Sequence, residues 1–213
     1  MKKNPTKIKF LLISLFFAVV FIGFTLVVAF VDVDGVGLSH INYFFLNICG
    51  RSYIWENITD WLGYLTICGL LFFIGLQVWQ LLRRKSLRKI DWNLFCLDFI
   101  CVAFVVVYII FEFLIINYRP YLDDGVAKAS YPSSHAMLFA TILPLIIYQV
   151  WYYIKNKPWR IALTIIIGLL LAVGVVGRLL SGLHWFTDIV AGVIISCCFN
   201  ILYCWLVRLL KVE

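Results

Sequence analysis

Charged residues are sparse in six stretches of this chain, at residues 10–31, 59–82, 91–117, 136–154, 160–180 and 187–206. Each has close to the roughly 20 residues that a helix needs to cross the hydrocarbon core of a bilayer. In lipid the backbone has no water to bond, so an isolated span must satisfy its own N–H and C=O groups as a helix. The pattern predicts an all-α, polytopic membrane protein with six transmembrane helices. The first stretch is longer than the apolar part of a secretory signal and no small-residue cleavage site follows it, so it reads as a span. No repeat, low-complexity tract or linker breaks the pattern, and residues 1–213 read as a single membrane domain.

Segment 35–49 is too short to span. Leu38, Ile41, Phe44, Phe45 and Ile48 recur at helical spacing, which fits a short helix lying in the extracytoplasmic interface. An ordered loop fits as well, because no capping residues mark its ends. Asp98, deep in the third stretch, is costly in lipid unless partnered. Its place near the cytoplasmic end predicts structural pairing with a base or a nearby N–H group.

Composition sharpens this picture. The chain is 64% hydrophobic and 14% charged, with mean hydropathy +1.00, which excludes a water-soluble globule, a disordered chain and a collagen-like one. The net charge of +7 has a topological origin, because 14 of the 18 Lys and Arg residues fall on one side of the six spans. Lys2, Lys3, Lys7 and Lys9 precede the first. Arg83, Arg84, Lys85, Arg88 and Lys89 join the second to the third, Lys155, Lys157 and Arg160 the fourth to the fifth, and Arg208 and Lys211 follow the sixth. The positive-inside rule makes that side cytoplasmic, with both termini there. The charge therefore implies no nucleic-acid partner. The seven cysteines show no C-x-x-C spacing and six lie in long apolar runs, as small buried residues do.

The remaining basic residues, Arg51, Arg119, Lys128 and Arg178, fall at the outer ends of spans or in outer loops. Asp32, Asp34, Glu56, Asp60, Asp123, Asp124, Asp188 and all three histidines share that edge. Three short stretches concentrate the chemistry: Asn117-Tyr118-Arg119-Pro120, Pro132-Ser133-Ser134-His135 and Arg178-x5-His184-x3-Asp188. Two guanidinium groups suit the oxygens of a phosphate and stay charged at any pH. Ser133 and the N–H groups of residues 133–135, at the start of a helix, add donors where the helix dipole favours an anion. On a helix, His184 and Asp188 would share a face, so Asp188 would hold one ring nitrogen and leave the other to attack phosphorus. His135 would protonate the departing oxygen. No Cys/His cluster or paired acids at ligand spacing suggests a metal.

These stretches resemble, in order, the three-part signature of the type 2 phosphatidic acid phosphatase superfamily: K-x6-R-P, P-S-G-H and S-R-x5-H-x3-D. The resemblance covers the chain from Thr59 onward and implies a bacterial integral membrane lipid phosphatase. By it, His184 is the nucleophile that forms a phosphohistidine, Asp188 orients it and His135 is the general acid. Arg119, Ser133, Ser134 and Arg178 bind the phosphate, and the family needs neither metal nor other cofactor. The implied partner is a membrane lipid of the undecaprenyl pyrophosphate, phosphatidylglycerophosphate or phosphatidate class, met on the extracytoplasmic face. No obligatory protein partner is implied.

Three positions depart from the signature. Ser134 replaces its Gly and Gly177 its Ser, both small changes. Glu112 stands where the signature has Lys, seven residues before Arg119, replacing a phosphate-binding cation with an anion. Glu112 and Arg119 are expected on nearly the same helical face, two turns apart. Lys128 is the candidate to supply the missing charge. Glu112 also keeps a second function open, that of a catalytically impaired protein that binds or senses lipid phosphates. A small transporter is a third, disfavoured because midplane charges and Gly/Pro-broken helix pairs are lacking.

Overall fold

The computed structural model describes residues 5–122 and 125–210. Seven α-helices follow one another there: α1 (Pro5–Phe30), α2 (Ser39–Cys49), α3 (Tyr53–Arg84), α4 (Trp92–Phe113), α5 (Ser134–Tyr153), α6 (Lys157–Leu180) and α7 (Phe186–Leu210), with a 3₁₀ turn at Leu87–Lys89. All but α2 are long and apolar enough to cross a membrane. The chain is an all-α, multi-pass membrane protein. Of the expected basic collar, Lys2, Lys3 and Lys211 lie outside the described residues, as do Asp123 and Asp124 at the other edge.

Helix α5 is the centre of the bundle. It packs against α3, α6 and α7, while α1 and α4 lie along α7. Phe139, Leu143, Ile142 and Met137 of α5 are buried, whereas Phe16 and Val19 of α1, Phe72 of α3 and Leu169 of α6 are exposed. That outward apolar surface is what a hydrocarbon solvent selects. Pro144 lies within α5 and has no N–H to give to the carbonyl of Ala140 one turn back. Asn200 Nδ2 of α7 fills that role, donating to Ala140 O at 2.7 Å.

Local chemistry sets the helix starts. Asn156 Oδ1 accepts from Trp159 N–H at 3.1 Å ahead of α6, and Ser133 Oγ accepts from Ala136 N–H at 3.4 Å ahead of α5. Residues 35–49 resolve in favour of the helix. Asp32 binds its first turn, accepting from Ser39 Oγ and His40 N–H at 3.1 Å each. Ile41, Phe44 and Ile48 face outward while Asn42 is buried. Asp98 accepts from Gln77 Nε2 at 2.8 Å, so its partner is the side-chain N–H of a neighbouring span.

The third span ends earlier than its hydropathy predicts. Apolar residues continue through Ile116, yet α4 stops at Phe113. Pro120 disfavours helical backbone at Arg119, and residues 117–119 pair antiparallel with 128–130 instead: Arg119 N–H donates to Lys128 O at 3.0 Å and Ser130 N–H to Asn117 O at 2.9 Å. Glu112 and Arg119 therefore do not share a helix face, and that expectation is corrected.

The two ends of the bundle differ. One gathers the start of α3, the pairing after α4, the starts of α5 and α7, and the end of α6. The other holds Gln80, Arg84, Asp91 and Tyr153, where Gln80 Nε2, Arg84 Nη1 and the Tyr153 hydroxyl all donate to the Asp91 carboxylate at 2.7–2.9 Å.

Candidate active site

His184 lies in the turn between α6 and α7, one residue before the residue that precedes α7. Gly182, with φ +68°, makes that turn possible, and a Cβ on it would lie 1.9 Å from the carbonyl oxygen of Gly50. The loop before α3 is therefore locked onto this turn. Ser52 N–H completes the contact, donating to Ser181 O at 3.1 Å.

Because His184 precedes the helix, the expected shared face with Asp188 does not form. Asp188 Oδ2 sits 3.8 Å from His184 Nδ1, beyond hydrogen-bond range. Nδ1 instead lies 2.9 Å from the carbonyl oxygen of Ser130 and 3.2 Å from its hydroxyl. A carbonyl can only accept, so Nδ1 carries the proton and Nε2 keeps its lone pair. Nε2 is buried and has no hydrogen-bond partner among the described residues. Burial pushes the imidazole well below its ordinary 6.5, with the Asp188 carboxylate opposing the shift and Arg178 and Arg119 adding to it.

Asp188 acts as an anchor. Its carboxylate accepts from Trp185 N–H at 3.0 Å, half of a capping box at the start of α7, and from Asn117 Nδ2 at 3.3 Å. Ser130 Oγ also donates to it. Ser130 thus touches both His184 and Asp188, and sequence reasoning missed it. No periodicity or motif marks it, since it lies two residues ahead of the second stretch. Asn117 extends the network to α2 by accepting from Gly37 N–H at 3.3 Å, and Asn42 of α2 accepts from Thr187 N–H at 3.1 Å.

The start of α5 supplies fewer donors than its sequence suggests. Ser133 N–H already donates to Asp188 O at 3.0 Å, its hydroxyl caps the helix and the residue is fully buried. Of the donors expected from Ser133, the N–H is engaged by Asp188 O, whereas the hydroxyl accepts in the cap and keeps its own O–H; Ser134 and His135 N–H are the further donors of the first turn. Gly192 lets α7 approach here, since a Cβ would meet Ser133 O and Met137 N at 3.1 Å.

Arg178, at the end of α6, is buried and donates from Nη1 to Asp60 Oδ1 at 3.0 Å and to Thr59 Oγ1 at 3.1 Å. Gly177, before it, has no room for the serine of the signature: a Cβ would lie 2.9 Å from Trp55 Cε3 and 3.0 Å from Thr59 Cγ2. Arg51, an outlying base of no assigned role, donates to Glu56 Oε2 at 2.6 Å.

Two cavities meet at this end. One, about 300 Å³, is lined by His184, Ser130, Glu112, Arg119, Lys128 and Ser134, among others. The second, about 470 Å³, is lined by His135, Arg178, Asp60, Arg119 and Ser134, with an apolar wall of Tyr64 and Ile67 of α3, Phe104 and Tyr108 of α4, and Leu138 of α5. Arg119, Ser134 and Tyr108 belong to both. Every residue expected at the site is therefore gathered at one end of the bundle, and Glu112 and Lys128 line the same cavity despite the early end of α4.

Among solved structures, the chain is similar to the crystal structure of the first transmembrane PAP2 type phosphatidylglycerolphosphate phosphatase from Bacillus subtilis. The identity is 16% and the TM-score 0.69, over 93% of this chain and 98% of that one. At that identity the likeness is one of fold. No curated protein matches the chain by sequence. The model of the PAP2 superfamily matches residues 42–211, a stretch that takes in all three signature segments and every residue lining the two cavities. By that match the chain belongs to the PAP2 superfamily.

Proposed function

We propose that the whole chain is one phosphatase domain that removes phosphate from a membrane lipid through a phosphohistidine on His184. One observation carries the reading. A buried imidazole, its tautomer set by Ser130 and its Nε2 without a partner among the described residues, lines a cavity that shares Arg119 and Ser134 with the cavity holding Arg178 and His135. The Nε2 lone pair attacks phosphorus, forming a P–N bond as the P–O bond to the lipid breaks. His135 gives a proton to the leaving oxygen. Water then attacks the phosphohistidine, the P–N bond breaks, and His135 takes up the proton that water loses. Arg119, Arg178, Lys128 and the N–H groups of Ser134 and His135 hold the phosphoryl oxygens, and no metal takes part.

The apolar wall, whose helices α3 and α4 touch little, supports lateral access of a lipid tail from the bilayer. We place the site on the extracytoplasmic face with both termini in the cytoplasm, because Arg83, Arg84, Lys85, Arg88, Lys89, Lys155 and Lys157 lie at the helix ends and in the connections at the other end. Phosphate release from detergent-solubilised protein, measured across phosphatidate, phosphatidylglycerophosphate and undecaprenyl pyrophosphate without added metal, tests the reading. Vanadate should block release, and His184→Ala should be inert. Release that survives His184→Ala would refute the mechanism. Binding of these lipids with no release by the wild type would favour the second reading, a lipid-phosphate sensor, for which Glu112 in the cavity is the supporting feature.

A further inference from the structure

Asp60 lies outside all three signature stretches, yet it touches two of their residues. Its Oδ1 is 3.0 Å from Arg178 Nη1 and 3.4 Å from His135 Nε2. One carboxylate oxygen thus accepts from a guanidinium and lies within ion-pair distance of an imidazole, the two groups that a phosphoryl oxygen would take. The approach is prepared locally. Gly63, one turn along α3, lets His135 come close, since a Cβ there would lie 3.3 Å from His135 Cδ2. Thr59, the residue before, accepts from the same Arg178 nitrogen, so α3 meets the end of α6 through two adjacent side chains. The Arg178 side chain is only 3% exposed whereas that of Asp60 is 39% exposed, so Asp60 has room to swing away and Arg178 does not.

We propose that Asp60 is a positioning residue of the phosphate site, an internal anion that aligns Arg178 and His135 and competes with phosphate for them. This rests on the phosphatase reading above. A phosphoryl group reaching Arg178 meets a carboxylate already bound to it, and like charges at that separation repel strongly in a partly dry site. The carboxylate turns toward the open side of the cavity as the phosphoryl oxygen takes its place, and returns as inorganic phosphate leaves. Without it, Arg178 would hold product phosphate longer, and His135 would lose the group that fixes its ring.

The two effects oppose each other, which separates this role from simple structural support. In detergent micelles, inorganic phosphate as a competitive inhibitor should bind Asp60→Asn about fivefold more tightly than wild type, and KM should fall with it. At the same time kcat should drop about tenfold, the size of a lost hydrogen bond to a charged group. Asp60→Ser, smaller and equally uncharged, should shift phosphate affinity the same way, with thermal unfolding in detergent confirming that both variants are folded. Phosphate inhibition unchanged or weakened in both folded variants overturns the proposal. If His184→Ala is inert in that same experiment, the phosphatase reading stands and only the role of Asp60 falls. A wild type that neither hydrolyses lipid phosphate nor binds inorganic phosphate overturns both.

Discussion

His184 is held by Ser130 more closely than by Asp188: its Nδ1 lies 2.9 Å from the Ser130 carbonyl oxygen, and the Ser130 hydroxyl stands between the imidazole and the carboxylate. The carbonyl fixes which nitrogen is protonated, and the hydroxyl relays the influence of Asp188. Ser130→Ala keeps the first contact and removes the second. We therefore expect its kcat to fall about 10–100-fold with KM little changed, as for a lost hydrogen bond to a charged partner. Asp188→Ala should cost more, because Trp185 N–H, Asn117 and Ser130 all lose their acceptor. Steady-state kinetics with thermal unfolding of each variant separates the two.

The pH dependence follows from the burial of His184. Its imidazole titrates below the ordinary 6.5, so the neutral nucleophile persists into more acidic solution than an exposed histidine allows. The acid limb of kcat/KM set by His184 should then lie below pH 6.5. Stability has a matching sign. The unfolded chain binds a proton below 6.5 that the folded one resists, so stability contributed by neutral His184 is lost as pH falls through that range. His184→Gln should flatten this part of a Tm-against-pH curve, and an unchanged slope would show that other groups set it.

Much of this architecture is legible in the chain because lipid leaves few choices. Six apolar stretches had to become six helices, and the outlying Arg119, Arg178, His135 and His184 had to meet at one level. The hydropathy of Ile115 and Ile116 misleads about the third span, since the signal for ending α4 comes from Pro120 and from the pairing of residues 117–119 with 128–130, which no hydropathy pattern marks. The His-x3-Asp spacing misleads in the same way: it suggests a helical face, whereas His184 sits in the turn that precedes α7. Ser130 and Asp60 were illegible as site residues because neither belongs to a periodic pattern. Their roles arise when α3, α5 and the turn before α7 converge.

Gly177 tests whether that convergence is tightly packed. The signature has serine there, but here the ring of Trp55 and the methyl of Thr59 occupy the space, and Thr59 supplies the hydroxyl that meets Arg178. Gly177→Ser should destabilise the protein by about 1–3 kcal/mol through overpacking. Adding Thr59→Ala should recover part of the lost Tm by removing one of the two contacts. A Gly177→Ser variant with wild-type Tm would mean that Trp55 moves freely.

Glu112 offers the last test, because it brings a negative charge to a cavity that has to receive phosphate. It shares that cavity with Arg119, Lys128 and His184, but it is exposed at the end of α4, so water screens its charge. Glu112→Lys restores the cation of the signature and removes the repulsion. Each surface-type charge interaction is worth up to about 1 kcal/mol, so KM for a lipid phosphate should fall about three- to tenfold with kcat nearly constant. Lys128→Ala should move KM in the opposite direction by a similar factor, if Lys128 stands in for the missing lysine. A rise in kcat of several orders of magnitude in Glu112→Lys would instead show that Glu112 disables the site, as expected of a lipid-phosphate sensor. Kinetics of both variants, measured over a range of salt concentrations, decides between these outcomes, since a screened charge effect shrinks as salt is added and a disabled nucleophile does not recover.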